Sequence, residues 1–186
     1  MKILTYPDKK LKQKSKKVRK VTKEIRELAL NMIKIMKENK GVGLSAIQLG
    51  IPIRLLVTGY EIPKDADQET QEKLKDNEQI PTLILVNPKV TLKSRQTSIM
   101  KEGCLSCPDV ELPVKRPLAA NILATDLDGH RVKIRAKGLL ARVLLHEIDH
   151  LDGILIYDRT DKKTLKRLRE KQNKQILDEK SKNIIK

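Results

Sequence analysis

The sequence predicts an α+β fold, with short antiparallel sheets packed around a buried central helix and further helices towards the N-terminal and C-terminal ends. Three observations predict it. Residues 138–151 carry apolar positions at Leu139, Leu140, Val143, Leu144 and Ile148, the pattern of a mostly buried helix. Several short apolar or alternating runs, bounded by Gly, Pro, Asn or Asp, read as strands. Two further stretches, 22–40 and 162–182, have one apolar stripe and otherwise charged faces, which is the signature of surface helices.

Taken in order, residues 3–7 read as a short extended piece ending at a turn. In 22–40 the stripe is Ile25, Leu28, Ala29, Met32, Ile33 and Met36, and Gly41 is expected to stop the helix. Residues 41–50 form a glycine-bearing loop that runs into a strand over 51–57. The stretch 63–79 is polar and without apolar periodicity, so an exposed loop or loose helical insertion is expected there. Residues 82–86 and 89–92 read as two strands separated by Asn87-Pro88. Residues 120–125 and 131–136 flank Asp126-Leu127-Asp128-Gly129, a strong hairpin signal. Gly153 closes the central helix, and the tail helix keeps a thin stripe at Leu165, Leu168 and Ile176. No internal repeat is present. The expected organisation is one catalytic domain over 1–160 followed by a basic helical tail over 161–186.

The chain of 186 residues is long enough to bury one working core. Phe and Trp are absent and Tyr occurs three times, so the core is aliphatic and base-stacking recognition of single-stranded nucleic acid is disfavoured. The net charge is +16, with lysine gathered at 9–23 and 162–186. A lysine-rich solvated surface explains such charge as readily as a polyanionic partner, for which RNA or the ribosome is the candidate. No segment suits a membrane span or a secretory signal. Cys104 and Cys107 are too few and too close for a disulfide framework, so a cytoplasmic protein with a metal or catalytic cysteine is expected.

His146-Glu147-Ile148-Asp149-His150 places two imidazoles four residues apart on the buried helix, where both reach one ion and Glu147 stands beside its open position. A carboxylate there takes a proton from an attacking water and passes it on. Two of the three histidines fall in this pentad. Polar groups on an otherwise apolar helix are costly unless paired or ligating. A catalytic site needs a third protein ligand. Cys104, Cys107 and His130 remain as donors, with His130 expected at the surface and either cysteine allowed by spacing. A closed site using both cysteines would leave Glu147 without a task.

Three segments together resemble the peptide deformylases. Gly41-Val42-Gly43-Leu44-Ser45-Ala46-Ile47-Gln48 is similar to that family's GxGLAAxQ. Glu102-Gly103-Cys104-Leu105-Ser106 matches EGCLS, and His146 to Gly153 matches HExDHLxG. The resemblance covers roughly residues 1–160, with Ser45 in place of the usual Ala and Leu145 in place of the usual Gln. It implies removal of the formyl group from the formyl-methionine at the N-terminus of nascent chains. It also implies that Cys104, His146 and His150 hold a divalent ion, usually Fe2+, with Zn2+, Ni2+ or Co2+ as substitutes. Glu147 would be general base and acid, the Gln48 amide and Leu105 N–H would hold the oxyanion, and Gly43 and Gly103 would let the backbone approach the substrate. An apolar pocket for methionine is expected from Val42, Leu139, Val143 and Ile148, and an extended N-formylmethionyl peptide is expected along a free strand edge. The basic tail would then have a use in docking on the ribosome. A zinc peptidase, and an inactive RNA-binding module on the same scaffold, are the competing readings.

Overall fold

Helix α2 (Gly138–Leu151) runs through the middle of the molecule and is buried almost all round from Ala141 onwards, its polar residues included. The computed structural model describes residues 1–60, 80–168 and 170. Helix α1 spans Lys23–Glu38, and the strands are β1 (Gly43–Ser45), β2 (Leu55–Tyr60), β3 (Ile80–Lys93), β4 (Thr97–Cys104), β5 (Cys107–Pro117), β6 (Ala119–Thr125) and β7 (Arg131–Lys137). After α2 come a single turn, α3 (Ile156–Arg159), and a further helical stretch, α4, over 162–168. The α+β expectation therefore holds, with α2 as the central helix.

Five strands form one antiparallel sheet in the order β1-β2-β3-β6-β7, and β4 and β5 form a separate hairpin. Side chains alternate across a strand, and β2 uses both faces. Leu56 packs with Leu144, Leu145, Ile148 and Leu151 of α2, whereas Leu55 and Val57 pack with Met32, Ile35 and Met36 of α1. The sheet thus carries a helix on each side. No described helix is long and apolar enough to cross a membrane.

Several expectations are corrected in detail. Residues 82–86 and 89–92 belong to one strand, β3, in which Asn87 (φ 53) and Pro88 sit in a bulge. Up to Val86 the strand pairs with β2, and from Val86 onwards it pairs with β6. The Asn87 side chain clamps the bulge by bonding the N–H and C=O of Val18 at 2.9 and 2.8 Å. The left-handed residue ending α1 is Lys40 (φ 54), not Gly41. Gly41 has a different job, since a Cβ there would lie 2.7 Å from Leu105 Cδ1. The β4–β5 hairpin has no counterpart among the expected strands. The stretch 63–79 lies outside the described residues, as does the tail helix beyond residue 170.

Candidate metal centre

The chemistry of α2 sits on one stripe. Leu139, Arg142, Val143, His146 and Glu147 recur three and four residues apart and line a cavity of about 950 Å³. His150, one turn beyond His146, is buried beneath it. Val42, Gly43, Gln48, Gly103, Cys104 and Leu105 line the same cavity from the other side. Ile148 does not line it. That side chain is off the stripe and belongs to the core with Leu144 and Leu145. Leu145 is likewise a core residue, so its departure from the family's Gln changes packing and leaves the cavity wall untouched.

The neck of the hairpin brings Cys104 to the helix. Its Sγ lies 3.2 Å from His150 Nε2, which lies 3.2 Å from His146 Nε2. All three ligand atoms fall within 4.8 Å of one another. In a tetrahedral site with bonds of about 2.1 Å to nitrogen and 2.3 Å to sulfur, neighbouring donors stand roughly 3.4–3.6 Å apart, so the two 3.2 Å pairs need open by only a few tenths of an ångström to admit an ion. The tautomer agrees. Glu102 Oε2 lies 3.0 Å from His146 Nδ1, so Nδ1 carries a proton and Nε2 is the nitrogen that faces the other donors. Of the three candidate third ligands, Cys107 is not in this group. His130 is an exposed turn residue beside Asp126 and Asp128.

Burial would raise the Glu102 carboxyl, but hydrogen bonds from His146 and Arg116 outweigh it and hold it at about 2. Burial lowers His146, yet the Glu102 bond and the Glu147 charge outweigh that, an environment favouring positive charge on the ring. Burial takes His150 well below its ordinary 6.5, reinforced by His146, which keeps the ring neutral as a ligand must be. The hydrogen bond with Cys107 and burial push the Cys104 thiol up, so it ionises only against a cation. Burial raises Glu147 despite His146 and Ser45, leaving a carboxyl able to exchange a proton.

Glu147 is held from two sides. A Cβ on Gly43 would lie 2.5 Å from its Oε1, so glycine there makes room for the carboxyl. The Ser45 Oγ lies 2.7 Å from Glu147 Oε2 and 2.8 Å from its backbone oxygen. Gln48 is oriented as well. Its Oε1 accepts from Ser45 N–H at 2.8 Å, which turns the amide Nε2 towards Ser106 Oγ (3.1 Å) and Cys104 Sγ (3.8 Å). Gly103 faces open space.

Sequence reasoning missed the ion network behind the three donors. Glu102 accepts from Arg116 at 2.7 and 2.9 Å and from Arg142 at 2.6 Å. Asp149 accepts from Arg116 at 2.7 Å and from Arg159 at 2.5 and 2.9 Å. Four elements are joined behind His146, each charge answered by its opposite. The buried end of the alternation Val110, Leu112, Val114, Arg116 was the available signal.

The polypeptide deformylase family matches residues 1–166. A peptide deformylase of Dictyoglomus thermophilum is 46% identical over 156 residues, 84% of this chain and 90% of that protein. One of Rhizobium meliloti is 41% identical over 160 residues, 86% and 84% of the two chains. Among solved structures, a peptide deformylase from Synechococcus elongatus in complex with actinonin superposes with a TM-score of 0.79 at 32% identity, covering 93% of this chain and 86% of that one. With three donors converging behind a buried carboxyl, and these likenesses spanning nearly the whole described fold, the chain belongs to the polypeptide deformylase family.

Proposed function

We propose that Cys104, His146 and His150 hold one divalent ion and that Glu147 moves the protons of formamide hydrolysis. As a member of its family the chain removes the formyl group from N-terminal formyl-methionine and releases formate. Ferrous iron is the proposed native ion, and Zn2+, Ni2+ or Co2+ suit the same donors. When bound, the ion supplies Lewis acidity towards water and the formyl oxygen.

The residues divide the remaining work. Glu147 takes a proton from the attacking water as its oxygen adds to the formyl carbon, then delivers it to the nitrogen as the C–N bond breaks. The Gln48 amide and the Leu105 N–H stabilise the developing oxyanion, where one such donor is worth ~3 kcal/mol of barrier. Val42, Leu139 and Val143 receive the methionine side chain. Gly43 lies on β1, a terminal strand of the five-stranded sheet whose edge can pair an extended peptide, and Gly103, open to the cavity, leaves room for that peptide. We also propose a catalytic unit over 1–160, a basic tail over 161–186 that docks on the ribosome, and a cytoplasmic place of work.

The observation that carries this reading is the convergence of a thiol and two imidazole Nε2 atoms beside a buried glutamate. Metal analysis paired with formate release, on anaerobically purified protein and formyl-Met-Ala-Ser, tests it. One ion per chain and formate without peptide-bond cleavage are expected. Cleavage of the peptide bonds would instead make the site a peptidase.

A further inference from the structure

The cavity does not account for the net charge of +16, since Lys40 and Lys101 at its wall are matched by Asp109 and Glu111. The fold assembles a separate concentration of cations on the α1 side of the five-stranded sheet, at its β7 end, away from β1 and β2 where α1 packs. β7 is the terminal strand, and its alternation exposes Arg131, Lys133, Arg135 and Lys137 while Val132, Ile134 and Ala136 pack inwards. At ~3.3 Å per residue, these cations recur every ~7 Å along a row of roughly 20 Å.

Register widens the row into a patch. Lys89 stands across Leu123 from Lys133, and Asn121 lies between Leu92 and Arg135. Arg95 follows Ser94, whose N–H bonds the carbonyl of Ala119, the partner of Lys137. Strands β3, β6 and β7 contain no Asp or Glu. Among the described residues, none of Lys89, Arg95, Arg131, Lys133, Arg135 and Lys137 forms an ion pair. The acids of the adjoining turn are already engaged, Asp126 by the N–H groups of Asp128 and His130, and Asp128 by Arg26.

We propose that this face binds the phosphate backbone of double-helical RNA. Unpaired cations at regular spacing, with no acid among them, complement a polyanion. The three strands also lack Phe, Trp and Tyr, so splayed bases find nothing to stack on, and a duplex read through phosphates and 2′-hydroxyls is favoured over a single strand. The choice of RNA rests on the reading of the substrate as the N-terminus of a nascent chain, which emerges from an RNA-rich particle. Docking there raises the local substrate concentration without touching the cavity.

The test measures binding of the full-length, metal-loaded chain to a fluorescein-labelled RNA duplex by anisotropy across a salt series. Wild type is compared with the combined variant Lys133→Gln, Arg135→Gln, Lys137→Gln. The variant is expected to lose at least ~10-fold in affinity at low salt, with a log–log salt slope shallower by about 3. Formate release from a free formylated peptide should be unchanged. A variant within twofold of wild type overturns the proposal, as does binding that disappears only when the residues after Glu170 are removed. Binding to phosphatidylserine vesicles with none to the duplex overturns it in favour of a lipid surface. Absent formate release in the wild type would refute the deformylase reading, whereas the duplex titration by itself upholds or overturns RNA binding at this face.

Discussion

Gly43 and Ser45 flank Glu147 and fix where its proton can go. Ser45 Oγ has one proton and two acceptors within reach, the Glu147 backbone oxygen and Oε2. With Glu147 ionised, the hydroxyl donates to Oε2. With Glu147 protonated, the carboxyl donates to Oγ and the hydroxyl turns to the backbone oxygen, so both states of the shuttle stay hydrogen-bonded. Ser45→Ala removes this and is expected to lower kcat roughly fivefold, the worth of about 1 kcal/mol, with KM unchanged. Gly43→Ala forces a methyl group to within 2.5 Å of Oε1 and must displace the carboxyl. A loss of about 100-fold in kcat, with full metal content, is expected from such a shift. Steady-state kinetics with a parallel metal assay separates both from simple unfolding. The two cysteines make a second pair of predictions. Cys104→Ser should purify with little metal, whereas Cys107→Ser should hold one ion per chain, because only Cys104 reaches the imidazoles. The reverse ranking by elemental analysis would refute the ligand set.

Helix α2 owes its position to apolar residues and its rigidity to ions. Glu102 on β4, Arg116 on β5, and Arg142 and Asp149 on α2 tie the hairpin to the helix, and Arg159 adds α3. Glu102 has a folded value of about 2 against an ordinary 4.5, so its stabilising contribution is complete above about pH 4.5 and is lost as pH falls towards 2. Glu147 and His146 both lie above their ordinary values. Well below 4.5 both are protonated in the folded and unfolded chain alike and add no slope, whereas His150, taken well below 6.5 by burial, adds a loss of its own that begins as pH falls through 6.5. In urea unfolding of metal-stripped protein the Glu102 share of the loss across this window is about 3 kcal/mol, and Glu102→Gln should shrink the loss by that amount while starting from lower stability. A slope unaffected by Glu102→Gln would remove Glu102 as its source. The contrast between α2 and the hairpin explains what was legible in the sequence. The apolar period of 138–151 and the Asp-Gly turn act locally, and both elements were readable. In the hairpin, Pro108, Pro113 and Pro117 argue against a central strand, yet they are tolerated because each strand of a two-stranded ribbon has a free edge. The motif residues could be matched to a family pattern, but the salt-bridged partners meet only through tertiary folding, and no local period announces them.

At the scale of the whole molecule, what matters is how firmly the C-terminal segment is joined to the fold that precedes it. Leu165 and Leu168 of α4 pack, partly buried, against the cluster of Cys107, Val110, Leu112, Val114 and Ile156. Leu168 also reaches the wall of the main cavity. The first turns of the tail therefore cover apolar surface beside the site, whatever the more distal basic residues bind. Two truncations separate these roles. Ending the chain after Thr160 uncovers Val110 and Ile156 and forfeits two half-buried leucines, worth together about 2 kcal/mol. For a domain of this size that corresponds to a fall in Tm of roughly 4–8 °C, and loss of a cavity wall should raise KM for formylated peptides. Ending it after Glu170 keeps both leucines, so Tm and KM should match the full chain while ribosome co-sedimentation at low salt falls through loss of distal lysines. If the two truncations melted at the same temperature, α4 would have no structural part. If co-sedimentation were unchanged even in the chain ending at Thr160, the tail would have no docking part, and any ribosome attachment would have to come from another surface.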